Sequence, residues 1–160
     1  MKVKTLATSG IIAALYVAVS LLVAPFGFTN VQFRISEMFN HLVVFNKKFF
    51  FGIVLGVFVT NLFSPLGLYD LFFGVGQSII ALSITILSAK FINGIFKRML
   101  FNTIVFTLTM FIIAFELNLA LGLPFLFTWL TVAVGEFVVM AVGIPIMIAL
   151  NKRLTFEKLI

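Results

Sequence analysis

"TLATSGIIAALYVAVSLLVAP", Thr5–Pro25, runs without a charged residue, and Lys2 and Lys4 stand just before it. At about 1.5 Å per helical residue, such a run can cross the roughly 30 Å of hydrocarbon in a bilayer. It is too long for the apolar region of a cleavable leader and lacks a clear small-residue cleavage site, so it reads as a retained span.

The rest of the chain repeats the pattern. Its 160 residues are 62% hydrophobic and 10% charged, with 22 phenylalanines and a mean hydropathy of +1.26, far beyond what a soluble core of that length requires. Alternating segments of about 10 residues, the mark of a membrane β-barrel, are absent. The reading is a single all-α integral membrane domain over 1–160, a bundle of six transmembrane helices at 5–25, 33–46, 49–65, 70–90, 99–120 and 128–150.

The net charge of +6 admits nucleic acid as a partner, but the basic residues punctuate the helices and form no further patch. Lys2 and Lys4 precede the first span, Lys47 and Lys48 follow the second, Lys90, Lys97 and Arg98 follow the fourth, and Lys152, Arg153 and Lys158 follow the sixth. Ten of the eleven basic residues then lie on one side, leaving only Arg34, and the positive-inside rule puts both termini in the cytoplasm. Cysteine is absent, which removes disulfides and thiolate chemistry. There is no phosphate loop, no H-E-x-x-H zinc motif and only one histidine, so neither catalytic residues nor metal ligands nor a cofactor are expected.

Counting helical rise from the basic flanks gives a depth for each polar residue. Arg34, Asn61 and Gln77 each lie 13 residues from a lysine, at Lys47, Lys48 and Lys90. Each is therefore roughly 20 Å above the inner boundary. Glu136 and Glu116 fall at roughly 24 Å and 27 Å. Five polar side chains from five spans share one layer of the outer half, where facing lipid is costly, so they should turn inward to each other, water or a ligand. Trp129 either lines that cavity or belongs to an interfacial aromatic belt.

In the first span Gly10, Ala14 and Ala18 form one small-residue face at four-residue spacing. Such a face lets another helix approach closely, either a partner's or one from this bundle. In "NVQFRISE", Asn30–Glu37, Arg34 and Glu37 are three apart and His41 follows four later, so a regular helix would put all three on one face. The expectation is an Arg34–Glu37 pair bracing the bent loop that carries Asn30 and Gln32 over the pocket, with His41 packed or interfacial.

Three stretches, "FGFTNVQFRISE", "NLFSPLGLYDLFFG" and "VGEFVVMAVGIPI", resemble the queuosine-precursor (QueT) group of substrate-binding S components of energy-coupling factor (ECF) transporters. The resemblance implies a bacterial cell-membrane protein that captures a small planar 7-deazaguanine solute from outside. It also implies three partner chains, a transmembrane coupling subunit and two ATPase subunits, with ATP hydrolysis there and not on this chain. Ala14 and Ala18 resemble the A-x-x-x-A element through which S components meet the coupling subunit. Glu136 or Glu116 would accept the guanine-like N–H edge, Asn61 or Gln77 would add amide contacts, and Asp70 would meet an aminomethyl cation. The rival readings are an S component for riboflavin or thiamin, a membrane-embedded enzyme, and a structural or assembly subunit.

Overall fold

The computed structural model describes residues 3–27 and 32–160, so the expectations for Lys2 and Asn30 fall outside the described residues. Six helices follow in order: α1 (Val3–Leu22), α2 (Ile35–Phe45), α3 (Phe49–Asn61), α4 (Asp70–Lys90), α5 (Ile95–Leu121) and α6 (Phe125–Leu154). Single helical turns occupy Ala24–Gly27 and Phe156–Leu159, and no strand occurs among the described residues. Helices α1, α4, α5 and α6 are long and apolar enough to cross a membrane, and α2 and α3 are shorter apolar helices. The chain is an all-helical membrane protein. Large side chains such as Phe72 (75% exposed) and Phe127 (67%) point outward, as suits a surface solvated by lipid.

The short helices depart from the expected bounds of 33–46 and 49–65 for local reasons. Helix α2 opens as a 3-10 segment, Ile35–His41, with Arg34 still outside it at φ −87° and ψ 79°. Helix α3 stops at Asn61, where Ser64 N–H bonds the Asn61 carbonyl and the chain winds into turns around Pro65. Its 13 residues extend only about 20 Å. Helices α5 and α6 instead overrun 99–120 and 128–150 at both ends. They form a tight hairpin whose turn is made by Gly122 in the left-handed region (φ +69°), with its N–H on the Asn118 carbonyl.

Helix α1 packs mainly on α3 and buries Thr5, Ser9, Ile12, Ala13, Tyr16 and Ser20, the last two bonding side chains of α2. Two glycines admit it. A Cβ at Gly52 would stand 2.8 Å from the Ser9 carbonyl oxygen, and one at Gly56 would stand 2.7 Å from Tyr16 Cβ. Helix α2 meets α6 just as closely, a Cβ at Gly143 falling 2.8 Å from Met38 Cβ. Beneath these contacts Leu42, Phe49, Ile53, Phe106, Met140 and Met147 form the apolar core.

Beyond α6, Phe156 is buried against Phe45 and Phe49, with ring centroids 5.2 and 6.2 Å apart. Lys4 Nζ donates to the Lys158 carbonyl (2.6 Å) and Thr8 Oγ1 to that of Leu159 (2.9 Å), so residues 4 and 158 share one end of the bundle.

Candidate functional site

Four of the chain's five acidic residues, Glu37, Asp70, Glu116 and Glu136, gather around Arg34, each at most 1% exposed. The grouping follows from helix order. Arg34 enters at the head of α2, Asp70 opens α4 next to it, Glu116 approaches Asp70 and Arg34 from α5, and Glu136 approaches Glu37 and Arg34 from α6.

The expected Arg34–Glu37 pair is not what forms. Arg34 faces Asp70, Nη2 to Oδ1 3.6 Å, while Glu37 turns to α1 and accepts a hydrogen bond from Tyr16 (2.8 Å) and another from Asn40. The three-residue rule presumes that both residues are helical, and Arg34 is not. Asp70 is fixed from two further sides. Ser64 donates to its carboxylate, and Asn61 Nδ2 donates to its carbonyl (2.9 Å) from a position where a Cβ at Gly74 would collide with it, at 2.6 Å.

Between α1, α2 and α3 lies a small cavity of ≈ 20 Å³, lined by Tyr16, Ser20, Val23, Arg34, Ser36, Glu37, Val57, Thr60 and Asn61. Its floor is cross-linked by Ser20 donating to Ser36 (2.6 Å). That volume suits about one water, well below the several hundred Å³ of a small-molecule pocket. The buried polar groups near Arg34 are under-used. Both oxygens of Glu116 and both of Glu136 find no hydrogen-bond partner among the described residues, nor do Gln32 Oε1, Asn40 Oδ1 and Thr60 Oγ1, although of these five residues only Thr60 lines the cavity. Buried polar atoms rarely stay unpaired, so such a concentration in one layer points to a ligand or ordered water. Gln32 is buried with φ +48°, a backbone conformation that side chains other than glycine seldom adopt.

Gln77 and Trp129 do not line the cavity. Gln77 is fully buried, but its amide donates to Thr109 (2.9 Å). Trp129 meets Phe111 edge to face and Phe125 at a tilt, with centroids 6.3 and 6.1 Å apart, packs on the cluster of Met110, Ile113 and Val132, and lines an outward groove with Leu126 and Leu130. His41 is packed, donating from Nε2 to the Met140 carbonyl (2.9 Å) and accepting at Nδ1 from Asn102 (3.1 Å). Gly10, Ala14 and Ala18 all face outward, and a Cβ at Gly10 would meet nothing within 4 Å, so this face does not pack inside the bundle. Sequence reasoning passed over Tyr16, Ser20, Ser64 and Thr60. The available signal was the i, i+4 pair Tyr16 and Ser20 beside a G-x-x-x-G in α3, Gly52 and Gly56.

A family model described as QueT transporter matches residues 6–152, a region that holds the whole Arg34 cluster. The chain belongs to the QueT transporter family. One relative is the queuosine precursor transporter QueT of Lactococcus lactis subsp. cremoris (strain MG1363), 34% identical over 98% of this chain and 98% of the relative. No solved structure matches the chain.

Proposed function

We propose that the protein is the substrate-binding S component of an ECF-type importer, holding a 7-deazaguanine queuosine precursor at the Arg34 layer for ATP-driven uptake. The observation that carries this is a pair of fully buried acidic groups beside the Arg34–Asp70 pair: Glu136 without a hydrogen-bond partner, and Glu116 with no neighbour but the Asp70 carboxyl. A guanine-like edge presents adjacent N–H groups that one carboxylate accepts in a bidentate manner, and two carboxylates within the same layer offer that geometry. Asn61, Thr60 and Arg34 line the small cavity of this layer, which would have to widen to take the ring.

Orientation and assembly belong to the same proposal. All six helices cross or enter the bilayer, both termini are cytoplasmic, and the protein resides in the bacterial cell membrane; the one-sided lysines and the shared end of residues 4 and 158 support this. The outward Gly10–Ala14–Ala18 face receives the coupling subunit, to which two ATPase subunits attach. The test is to purify the full chain in detergent, identify the retained small molecule by mass spectrometry, and titrate a 7-deazaguanine base against Glu116→Gln and Glu136→Gln. Retention of the base, with at least a tenfold weaker Kd in one variant, is expected. Retention of riboflavin or thiamin instead, or binding indifferent to both substitutions, would overturn the assignment.

A further inference from the structure

At the end of the bundle where residues 4 and 158 meet, a groove of ≈ 440 Å³ runs between the start of α3 and the last turns of α4. Its walls are Phe50, Phe51, Ile86 and Leu87, with Ser83 the single uncharged polar side chain, and its mouth carries Lys47 and Lys48. Phe50 and Phe51 meet edge to face at 5.6 Å and 90°, which holds one wall upright. The turn bearing the lysines is fixed too, Lys48 N–H bonding Asn46 Oδ1 at 3.1 Å. Both lysines are exposed, as is Lys90, three residues beyond Leu87 on the opposite wall.

The charge at this mouth is uncompensated. Four of the five acidic residues are committed to the Arg34 layer, the fifth, Glu157, does not line the groove, and neither lysine forms an ion pair among the described residues. An apolar slot open to lipid and ending in paired ammonium groups matches one chemistry: an acyl chain along the phenylalanines, with a phosphate on the lysines. A zwitterionic headgroup would set its own cation against them. We propose that this groove is a binding site for an anionic phospholipid, the headgroup held by Lys47 and Lys48. The site stands apart from the Arg34 layer and does not depend on the substrate assigned to it.

Native mass spectrometry of the full chain, extracted in detergent and offered equal phosphatidylglycerol and phosphatidylcholine, tests this. The parent should retain phosphatidylglycerol preferentially. K47Q/K48Q should lose about fivefold of that preference for each lysine removed, and K47R/K48R should keep it. Ser83→Trp, which fills the slot and leaves the charges, should lower retention of both lipids, and the elution profile of each variant shows whether it remains folded. Added glycerol phosphate should not displace the lipid; displacement would reassign the lysines to free anions and overturn the proposal. Equal retention of phosphatidylglycerol by the parent and K47Q/K48Q would overturn it as well. So would a K47Q/K48Q protein that keeps its lipid and loses only a partner chain, since the groove would then be a protein interface.

Discussion

Arg34 and Asp70 form a buried ion pair, 3.6 Å apart, and they come from opposite ends of a 36-residue separation that encloses α2 and α3. Breaking such a pair from one side strands a charge, typically costing about 3–5 kcal/mol. Arg34→Met or Asp70→Leu alone should therefore lower the thermal midpoint in detergent more than the double change does. Arg34→Met paired with Glu37→Leu should give no such rescue, because Glu37 serves Tyr16 and Asn40.

Tyr16→Phe removes one atom from the cavity wall and leaves Glu37 Oε1 without its donor. A hydrogen bond to a charged group contributes about 1.5–3 kcal/mol. The variant should be destabilised by that order in denaturation assays, with α1 still seated, since its apolar contacts are untouched.

The glycines of the two small-residue faces should behave oppositely. Gly56→Ala drives a Cβ into Tyr16, and overpacking of this kind costs about 1–3 kcal/mol. Gly10→Ala meets open space in a helix interior, where alanine is favoured by roughly 0.5–1 kcal/mol. Comparing the two thermal midpoints checks the contrast. Ala14→Trp, on the same outward face as Gly10, should leave solute affinity of the isolated chain unchanged and abolish its capture by the proposed coupling subunit.

Much of this architecture was legible because the bilayer writes it plainly into the sequence: uncharged runs, lysines at their ends, and polar residues scarce enough to be counted. The depth count brought Arg34, Asn61, Glu116 and Glu136 to one layer for that reason. For Gln77 depth fixes height along the helix and says nothing of azimuth: on α4 that side chain turns inward to Thr109 and does not line the cavity. The three-residue spacing misjudged the partner of Arg34 because that residue lies before the first helical turn, where spacing rules lapse. Asp70 opens the span expected at 70–90, and a π-helical turn at Asp70–Gly74 holds it inward, 1% exposed. Contacts between distant helices, such as Tyr16 with Glu37, leave no local trace in the sequence.

Topology can be read with single cysteines at Leu68, which is 70% exposed, and at Asn93, which is exposed in the turn before α5. An impermeant reagent on intact cells should label the first and spare the second until the membrane is permeabilised. The reverse pattern would invert the proposed orientation.

The hydrogen bonds from Lys4 to Lys158 and from Thr8 to Leu159 bring together residues about 150 positions apart, so the backbone path nearly closes into a loop. Where a polypeptide starts and stops is then almost incidental to its shape. A few added residues joining the two ends, with a new opening cut at Asn93 and Gly94, would yield a rearranged gene order whose product begins with α5 and finishes with α4. The helices would keep their neighbours, and the new ends would emerge beside Lys90, at the same face of the bundle as the old ones.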